Sequence, residues 1–391
     1  MAFDITLPER VIFGTGSISK LAEVIQSGGF LGEDGKKRVL VIVGDQADYA
    51  RPLFQVLDGL GADYLLFRVA VEPTTGLVQQ GVDLCRKEKC SLVIGCGGGS
   101  VMDTGKAVAG LSTNPGDIYD YLEVVGKGKS LPNPGLPYIA IPTTAGTGTE
   151  VTRNAVISAV EFGVKVSLRS SYLIPALSIV DPQFTYNLPP AVTASTGLDA
   201  LTQLLEAYVS NQANPFTDAL CLEGLSRAGR SLRTVYHSPQ DTAAREDMSV
   251  ASLFSGIALA HAKLGIVHGF AGVIGGMFDA PHGAVCACLL APSMRMNVQA
   301  LEQRAPQSPS LKRFTLLGQV LTGQPAADAM AGVAWVQETC AQLQIPGLAT
   351  YGLTRERMPE VVEKSSKASS TKGNPIVLTA EEMEEILQMA L

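Results

Sequence analysis

The feature that most constrains the fold of this chain is an alternation of short apolar runs and helical segments between residues 38 and 112. The run VLVIVGD is rich in β-branched residues and is followed by LFQVLDGLGA, whose apolar spacing is helical. The same pairing recurs as DYLLFRV with LVQQGVDLCRKEK, and as SLVIGCGGG with VMDTGKAVAGLS. Strands that alternate with helices indicate an α/β fold with a mostly parallel sheet.

Two later segments, YIAIPTT and LSIVDP, have the composition of further strands in this sheet. Runs such as LVIG and YIAI are apolar throughout and lack the polar alternation of a strand that faces water on one side. Such strands fit a sheet that is covered on both faces.

The character of the chain changes after LPPAV. Residues 192–391 show long stretches with helical periodicity, such as SLFSGIALAHAKLGIVHGFAGVIGGMF, and no convincing strand. The segment NLPP supplies a stiff, non-helical connection, which places the boundary near Leu188. We therefore predict an α/β domain over residues 1–187 and an all-helical domain over residues 188–391.

Length, charge and cysteine usage restrict the class of protein. A chain of 391 residues suits two domains, and a net charge of −7 without a basic run argues against a nucleic-acid partner. No apolar stretch has the length of a spanning helix, and the first residues lack the pattern of a signal peptide. The seven Cys have no zinc-ribbon spacing, which favours reduced, mostly buried thiols. We expect a cytoplasmic protein without a membrane partner.

A glycine cluster, Gly97-Gly98-Gly99-Ser100, follows the strand SLVIGC and opens the helix VMDTGKAVAG. Without Cβ atoms, the backbone N–H groups of such a turn approach a diphosphate closely, with the positive end of the helix dipole behind them. A tight turn without a ligand explains the same glycines. Asp103 and Lys106 are the polar groups of the following helix that deserve testing.

Asp45 ends the early strand VLVIVGD. An acid at this point of a nucleotide-binding domain commonly bonds the ribose hydroxyls and repels a 2′-phosphate. The position favours NAD over NADP, although a solvated acid in a turn accounts for it equally well.

Three of the four histidines, His261, His268 and His282, fall within 22 residues of the helical half. Asp199 lies in the apolar helix GLDALTQLLEAY, where an unpaired charge is costly. Because imidazole and carboxylate are common metal ligands, Asp199, His268 and His282 are candidates for a three-ligand site. Spacing alone favours histidines that are satisfied in the core, and it shows no obvious fourth ligand.

Four motifs, in order and spacing, resemble the iron-containing (group III) alcohol dehydrogenase family. They are GGGSVMDTGKAVA, PTTAGTGTEVT, GLDALTQLLEAY and GIVHGFAGVIGGMFDAPHGAV, and the resemblance extends to both ends of the chain. It implies a nucleotide-binding α/β domain, an all-helical domain and an active site in the cleft between them.

The resemblance also implies functional residues. Asp199, His268 and His282 match three of the family's four metal ligands, and Asp45 matches the acid that selects NAD. The other cofactor positions that it implies are the diphosphate turn Gly97, Gly98, Gly99, Ser100 and Asp103, the second loop Thr143, Thr144 and Thr147, and Lys165 near the ribose.

The chain departs from the family motifs at three positions. Gln203 stands where the family has its fourth ligand, a His, and its amide oxygen is a candidate to replace it. Gly272 stands where the family has a His that is thought to move the proton. His261, seven residues before His268, is expected on the same helix face and is our candidate proton carrier, with Lys263 beside it as a candidate for binding an anionic substrate. Drift in a divergent relative would explain these changes too.

These observations predict a metal-dependent, NAD(H)-linked oxidoreductase that interconverts a small alcohol and its aldehyde or ketone. The divalent metal would be Fe²⁺ or Zn²⁺, and the protein would be a homo-oligomer, a dimer. Two alternatives remain at this point: a metal-independent reductase similar to the maleylacetate reductases, and a nucleotide-binding protein that has lost catalysis.

Overall fold

The computed structural model describes residues 3–30 and 38–391. The chain forms two compact units. We call them the α/β unit, which comprises residues 6–144 and 148–186, and the helical unit, which comprises residues 1–5, 145–147 and 187–391.

The α/β unit is built on a six-stranded sheet with the order β1-β8-β5-β4-β2-β3, in which every pair of neighbours is parallel. A separate antiparallel hairpin pairs β6 with β7. The expected α/β fold with a mostly parallel sheet is confirmed. The strands are β1 (Arg10–Phe13), β2 (Val39–Gly44), β3 (Tyr64–Val69), β4 (Leu92–Gly97), β5 (Tyr138–Pro142), β6 (Asn154–Ala159), β7 (Val164–Arg169) and β8 (Leu177–Val180).

Helices cover both faces of this sheet, as the apolar strands predict. They are α1 (Leu21–Ser27), α2 (Arg51–Gly59), α3 (Thr75–Lys87) and α4 (Gly99–Ser112). Successive side chains of a strand point to opposite faces. Accordingly, Leu40 and Ile42 of β2 join the apolar cluster of α3 and α4, whereas Val41 joins that of α1 and α2.

The sheet order creates a switch point between β2 and β4. The chain leaves β2 toward β3 on one side and leaves β4 toward β5 on the other. In open α/β sheets, ligands bind outside the carboxyl ends of the strands at such a point. The turn after β4 and the residues after β2 therefore lie where a nucleotide is expected.

The helical unit contains α-helices and short 3₁₀ turns, and residues 187–391, all of which are described, form no strand. The prediction of a helical second half is confirmed. The α-helices are α5 (Pro190–Val209), α6 (Pro215–His237), α7 (Thr242–His261), α8 (Ile266–Phe278), α9 (His282–Arg304), α10 (Pro309–Thr322), α11 (Ala329–Gln342), α12 (Met358–Ser366) and α13 (Ala380–Met389).

The long helical segment expected around residues 252–278 is interrupted. Helix α7 ends at His261, α8 begins at Ile266, and the two axes differ by 96°. Ala262 and Gly265 adopt extended backbone angles between the helices. The expectation that His261 and His268 share one helix face is therefore wrong, because no continuous helix joins them.

Helix α9 lies in the core of the helical unit. Among the described residues, it is the single helix long and apolar enough to cross a membrane, and 89% of its most apolar window is buried. The pair α7 and α8 meets the same criteria together only if its bend is disregarded. Such burial is typical of a core helix. All seven Cys are free in the structure, and five of them are buried, which confirms the prediction of mostly buried thiols.

Candidate metal and cofactor sites

Four side chains of the helical unit converge on one point. Asp199 comes from α5, His268 from α8, and His282 and Cys286 from α9, and their ligand atoms all lie within 4.8 Å of one another. Asp199 Oδ1 is 3.5 Å from His268 Nε2 and 3.9 Å from His282 Nε2. The structure thus brings together the three ligands predicted from the sequence.

Cys286 was not among the predicted ligands. Its Sγ lies 3.9 Å from His268 Nε2 and 3.7 Å from His282 Nε2. The available signal was its spacing, since a residue four positions after His282 lies on the same face of a helix.

The local sequence explains why α9 brings its first turn to Asp199. His282 is the first residue of α9 and Cys286 stands one turn later. A Cβ at Gly283 would lie 2.6 Å from the carbonyl oxygen of Ser195 and 3.4 Å from Asp199 Cβ. Only glycine therefore allows α9 to begin this close to α5.

One carboxylate oxygen of Asp199 is buried without a hydrogen bond from the protein. Its residue is 2% exposed, and its buried Oδ1 has no hydrogen-bond partner. Burial by itself would raise the pKa of Asp199, but the neighbouring imidazoles of His268 and His282 hold it below the ordinary value. An ionised, unsatisfied oxygen facing two imidazoles is the arrangement that a divalent cation requires.

Glu206 orients His268. Its Oε2 is 2.7 Å from His268 Nδ1, and its Oε1 accepts the Val267 backbone N–H at 2.7 Å. The carboxylate therefore accepts a hydrogen bond from Nδ1–H, and Nε2 is left without a proton and faces Asp199. It also caps the N-terminus of α8, where negative charge is favourable. Sequence reasoning missed Glu206, although a buried acid seven residues after Asp199 falls on the same helix face.

Gln203, the predicted fourth ligand, is buried in α5. Its Oε1 accepts a hydrogen bond from Ser255 Oγ at 2.7 Å. The amide oxygen thus already has a protein partner, and ligation by Gln203 stays a prediction.

The glycine turn of the α/β unit lies at the switch point. Gly97 ends β4, and Gly98 is the N-cap of α4 and has no side chain to cap the helix. A Cβ at Gly98 would lie 3.3 Å from Thr144 Cγ2, so a larger residue would narrow the turn. Thr143 is held beside it, since its N–H donates to the Gly97 carbonyl at 2.9 Å. Ser100 is in the first turn of α4. Backbone N–H groups at this end of α4 suit a diphosphate.

Asp45 is exposed directly after β2, on the other side of the switch point. The guanidinium of Arg68, on the neighbouring strand β3, donates to the Asp45 carbonyl. Because an Arg can accommodate a 2′-phosphate, the presence of Arg68 beside Asp45 counts against exclusion of NADP by the acid alone. Selection of NAD by Asp45 stays a prediction.

Two other predicted cofactor residues have protein partners. Asp103 accepts Thr149 Oγ1 at 2.6 Å and the Val156 N–H at 3.0 Å, so it joins α4 to the hairpin. Lys165, on β7, pairs with Glu72 at 3.6 Å. Their roles toward a cofactor stay predictions.

The remaining predicted residues lie in the helical unit. Thr147 belongs to the short segment 145–147. His261 ends α7, and its Nδ1 donates to the Ile257 carbonyl at 2.7 Å. Gly272 is exposed on α8, and a Cβ there would meet nothing within 4 Å. Among the described residues, none therefore contacts the Cβ position of the missing His.

The architecture defines a class of protein. An α/β unit of the nucleotide-binding type occurs together with a helical unit that carries a candidate metal site of carboxylate and imidazole groups. A family model described as iron-containing alcohol dehydrogenase matches residues 8–182, and one described as the C-terminal part of the Fe-containing alcohol dehydrogenase family matches residues 193–391. The chain belongs to the iron-containing alcohol dehydrogenase family. The expected function, an NAD-linked and metal-dependent interconversion of an alcohol and its carbonyl compound, is confirmed at this level, and the two alternatives are not favoured.

Individual proteins agree with this assignment. The chain is 34% identical over 397 residues to 1,3-propanediol dehydrogenase of Klebsiella pneumoniae, which covers 99% of this chain and 98% of the relative. A crystal structure of 1,3-propanediol oxidoreductase matches with a TM-score of 0.91 and 31% identity over all of both chains. Sulfoacetaldehyde reductase from Bifidobacterium kashiwanohense, solved with NAD⁺, matches with a TM-score of 0.87 and 26% identity over 100% of this chain and 99% of that one.

Proposed function

We propose that this protein reduces a small aldehyde with NADH, or oxidises the corresponding alcohol, at a divalent cation held by Asp199, His268 and His282. The observation that carries the proposal is the buried Asp199 Oδ1, which lacks a hydrogen-bond partner and has two imidazole Nε2 atoms within 3.9 Å. Iron and zinc both suit this donor set.

Each residue of the site has a separate role. When bound, the cation would lower the pKa of the substrate oxygen and the nicotinamide would exchange a hydride with the carbon. Glu206 holds His268 in the tautomer that presents Nε2, and Asp199 supplies the negative charge. The side chain of His282 is 41% exposed, against 7% for His268 and 3% for Asp199. The substrate oxygen therefore approaches from the side of His282.

We propose that the turn Gly97–Ser100 binds the cofactor diphosphate, with Thr143, Thr144 and Thr147 as the second loop. The uncapped N-terminus of α4 at the switch point supports this role. Lys165 and Asp45 would meet the ribose. Asp103 would act indirectly, because it fastens α4 to the hairpin.

His261 is our candidate for moving the proton, and Lys263 for recognising an anionic group on the substrate. The helix break removes the shared-face argument for His261. His261 ends α7 and Lys263 lies in the connection to α8, the helix that carries His268, and this position supports keeping them as candidates.

We infer further that the protein is a cytoplasmic homodimer without nucleic-acid or membrane partners, with domains at residues 1–187 and 188–391. Seven free thiols and a net charge of −7 support the compartment and the lack of a nucleic-acid partner. The edge strand β1, with Val11 37% exposed, supports self-association. Light scattering on the purified protein measures the oligomeric state.

The test of the proposed function combines metal analysis with turnover. The protein is purified without chelators, loaded with Fe²⁺ or Zn²⁺, and assayed by NADH oxidation with a panel of aldehydes before and after chelation. We expect about one metal ion per chain and turnover that disappears on chelation. Asp199→Ala should lower the metal content, with Asp58→Ala as an exposed control acid. A loaded protein without stoichiometric metal, or turnover that survives complete metal removal, refutes the proposal.

A further inference from the structure

We propose that Cys286 binds the metal as a thiolate and is its fourth protein ligand, which gives the site an Asp-His-His-Cys donor set. The inference rests on the proposed function, because it assumes the metal at Asp199, His268 and His282. In this proposal the fourth ligand, a His in the family, is replaced by a residue on α9 rather than by Gln203 on α5.

The distances fit a tetrahedral ligand set. Bonds of about 2.0 Å to nitrogen or oxygen and about 2.3 Å to sulfur place tetrahedral ligand atoms about 3.3–3.6 Å apart. Cys286 Sγ lies 3.9 and 3.7 Å from the two Nε2 atoms, and Asp199 Oδ1 lies 3.5 and 3.9 Å from the same atoms. The other two pairs of donor atoms lie within 4.8 Å, so the four side chains would have to close in further to bond one ion.

The surroundings favour Cys286 over Gln203. Cys286 is 0% exposed, and its sulfur faces the two imidazole nitrogens that also face Asp199. Gln203 Oε1, in contrast, receives the Ser255 hydroxyl. The Gln203 oxygen is thus shared with a hydroxyl, whereas the Cys286 sulfur already lies among the other donors and needs only to lose its thiol proton.

Ligation by Cys286 exchanges its thiol proton for the metal ion. The S–H bond of Cys286 breaks, its proton passes to solvent, and the sulfur lone pair forms a bond to the divalent cation. The carboxylate and the thiolate then carry two negative charges, which neutralise the cation in a largely buried site. Thiolate is a soft ligand, so this set selects zinc more strongly than an Asp-His₃ set would.

X-ray absorption of the zinc-loaded full chain tests the inference directly. We expect one sulfur neighbour at about 2.3 Å in the wild type, in addition to nitrogen and oxygen neighbours at about 2.0 Å. Cobalt loading gives a second readout, because a thiolate ligand produces a sulfur-to-cobalt charge-transfer band in the near ultraviolet.

Variants on the same helix provide the control. Cys286→Ser and Cys286→Ala should lose the sulfur neighbour and the cobalt band, and should bind Zn²⁺ about tenfold or more weakly. Cys288→Ser removes a thiol two residues away, whose Sγ donates to the Pro346 carbonyl at 2.9 Å, and should keep all three properties. Gln203→Ala should keep the sulfur neighbour and the band.

The outcomes separate the inference from the proposed function. Stoichiometric zinc with only nitrogen and oxygen neighbours in the wild type overturns the role of Cys286 but leaves the metal-dependent function standing. A sulfur signal that survives in Cys286→Ser and Cys286→Ala also overturns it. Failure of the wild type to bind any metal overturns both.

Discussion

The substitution Glu206→Gln tests whether metal binding depends on the tautomer of His268, because it leaves the imidazole in place but changes its hydrogen-bond partner. In the wild type, the carboxylate accepts the Val267 N–H at Oε1 and faces His268 Nδ1 with Oε2, both at 2.7 Å. A glutamine keeps the acceptor for Val267 but turns an NH₂ group toward the imidazole. An NH₂ group needs an acceptor, so Nδ1 would lose its proton and Nε2 would gain it. The imidazole would then present N–H instead of a lone pair to the metal.

The expected magnitude follows from these two contacts. Loss of a carboxylate that orients a ligating His typically weakens metal binding by about 10–100-fold, which equals about 1.4–2.7 kcal/mol. A neutral hydrogen bond also replaces a charge-assisted one, which should lower the unfolding free energy of the metal-free protein by about 1 kcal/mol.

The assay measures Zn²⁺ affinity by competition with a chelator and stability by urea unfolding of the metal-free protein. Asn374→Ala is the matched control, because Asn374 Oδ1 caps the Ile266 N–H of the same helix turn at 3.2 Å. It should lower stability without a comparable change in zinc affinity. If Glu206→Gln binds zinc within threefold of the wild type while remaining folded, the tautomer argument is wrong.

The remaining predictions concern the cofactor, the substrate and pH. Asp45→Gly should raise kcat/KM for NADPH relative to NADH by about tenfold, because Arg68 beside it would meet the 2′-phosphate without a neighbouring carboxylate; an unchanged ratio counts against Asp45 as the selecting acid. Lys263→Met should reduce kcat/KM for an anionic aldehyde more than for a neutral one of similar length, and equal losses would exclude a role in anion recognition. His261→Asn should shift the pH profile of kcat, and an unchanged profile would remove His261 as proton carrier. Burial raises the pKa of Glu150 to about 7, so its contribution to stability is fully present below pH 4.5 and is lost as the pH rises through 7. The variant Glu150→Gln should therefore unfold at a higher urea concentration than the wild type at pH 8, but not at pH 4.

Several features of the molecule follow from the sequence by itself. The parallel sheet was predictable because runs such as VLVIVG are apolar throughout and alternate with amphipathic helices, and both properties are local. Helix α4 was predictable from the glycines that open it. The candidate ligands Asp199, His268 and His282 were found because charged or imidazole groups are conspicuous in apolar helices and because the three residues match the family motifs.

Short elements with distant partners were missed. Strand β1 has four residues and pairs with β8, which lies more than 160 positions later, so no local pattern marks it. The hairpin of β6 and β7 was missed too, although its buried and exposed residues alternate as in half-covered antiparallel strands.

Tertiary structure decided how the metal site is completed. The apolar periodicity continues through residues 252–278, but the chain bends at Gly265, where a Cβ would lie 2.7 Å from Glu206 Oε1. The bend exposes N–H groups of α8 to the Glu206 carboxylate, which in turn sets the orientation of His268. Cys286 joins the cluster only because Gly283 lets α9 begin against α5. Sequence patterns record which face of a helix is apolar, but the side chains of this cluster come from three helices, and only the packing of those helices determines which of them meet.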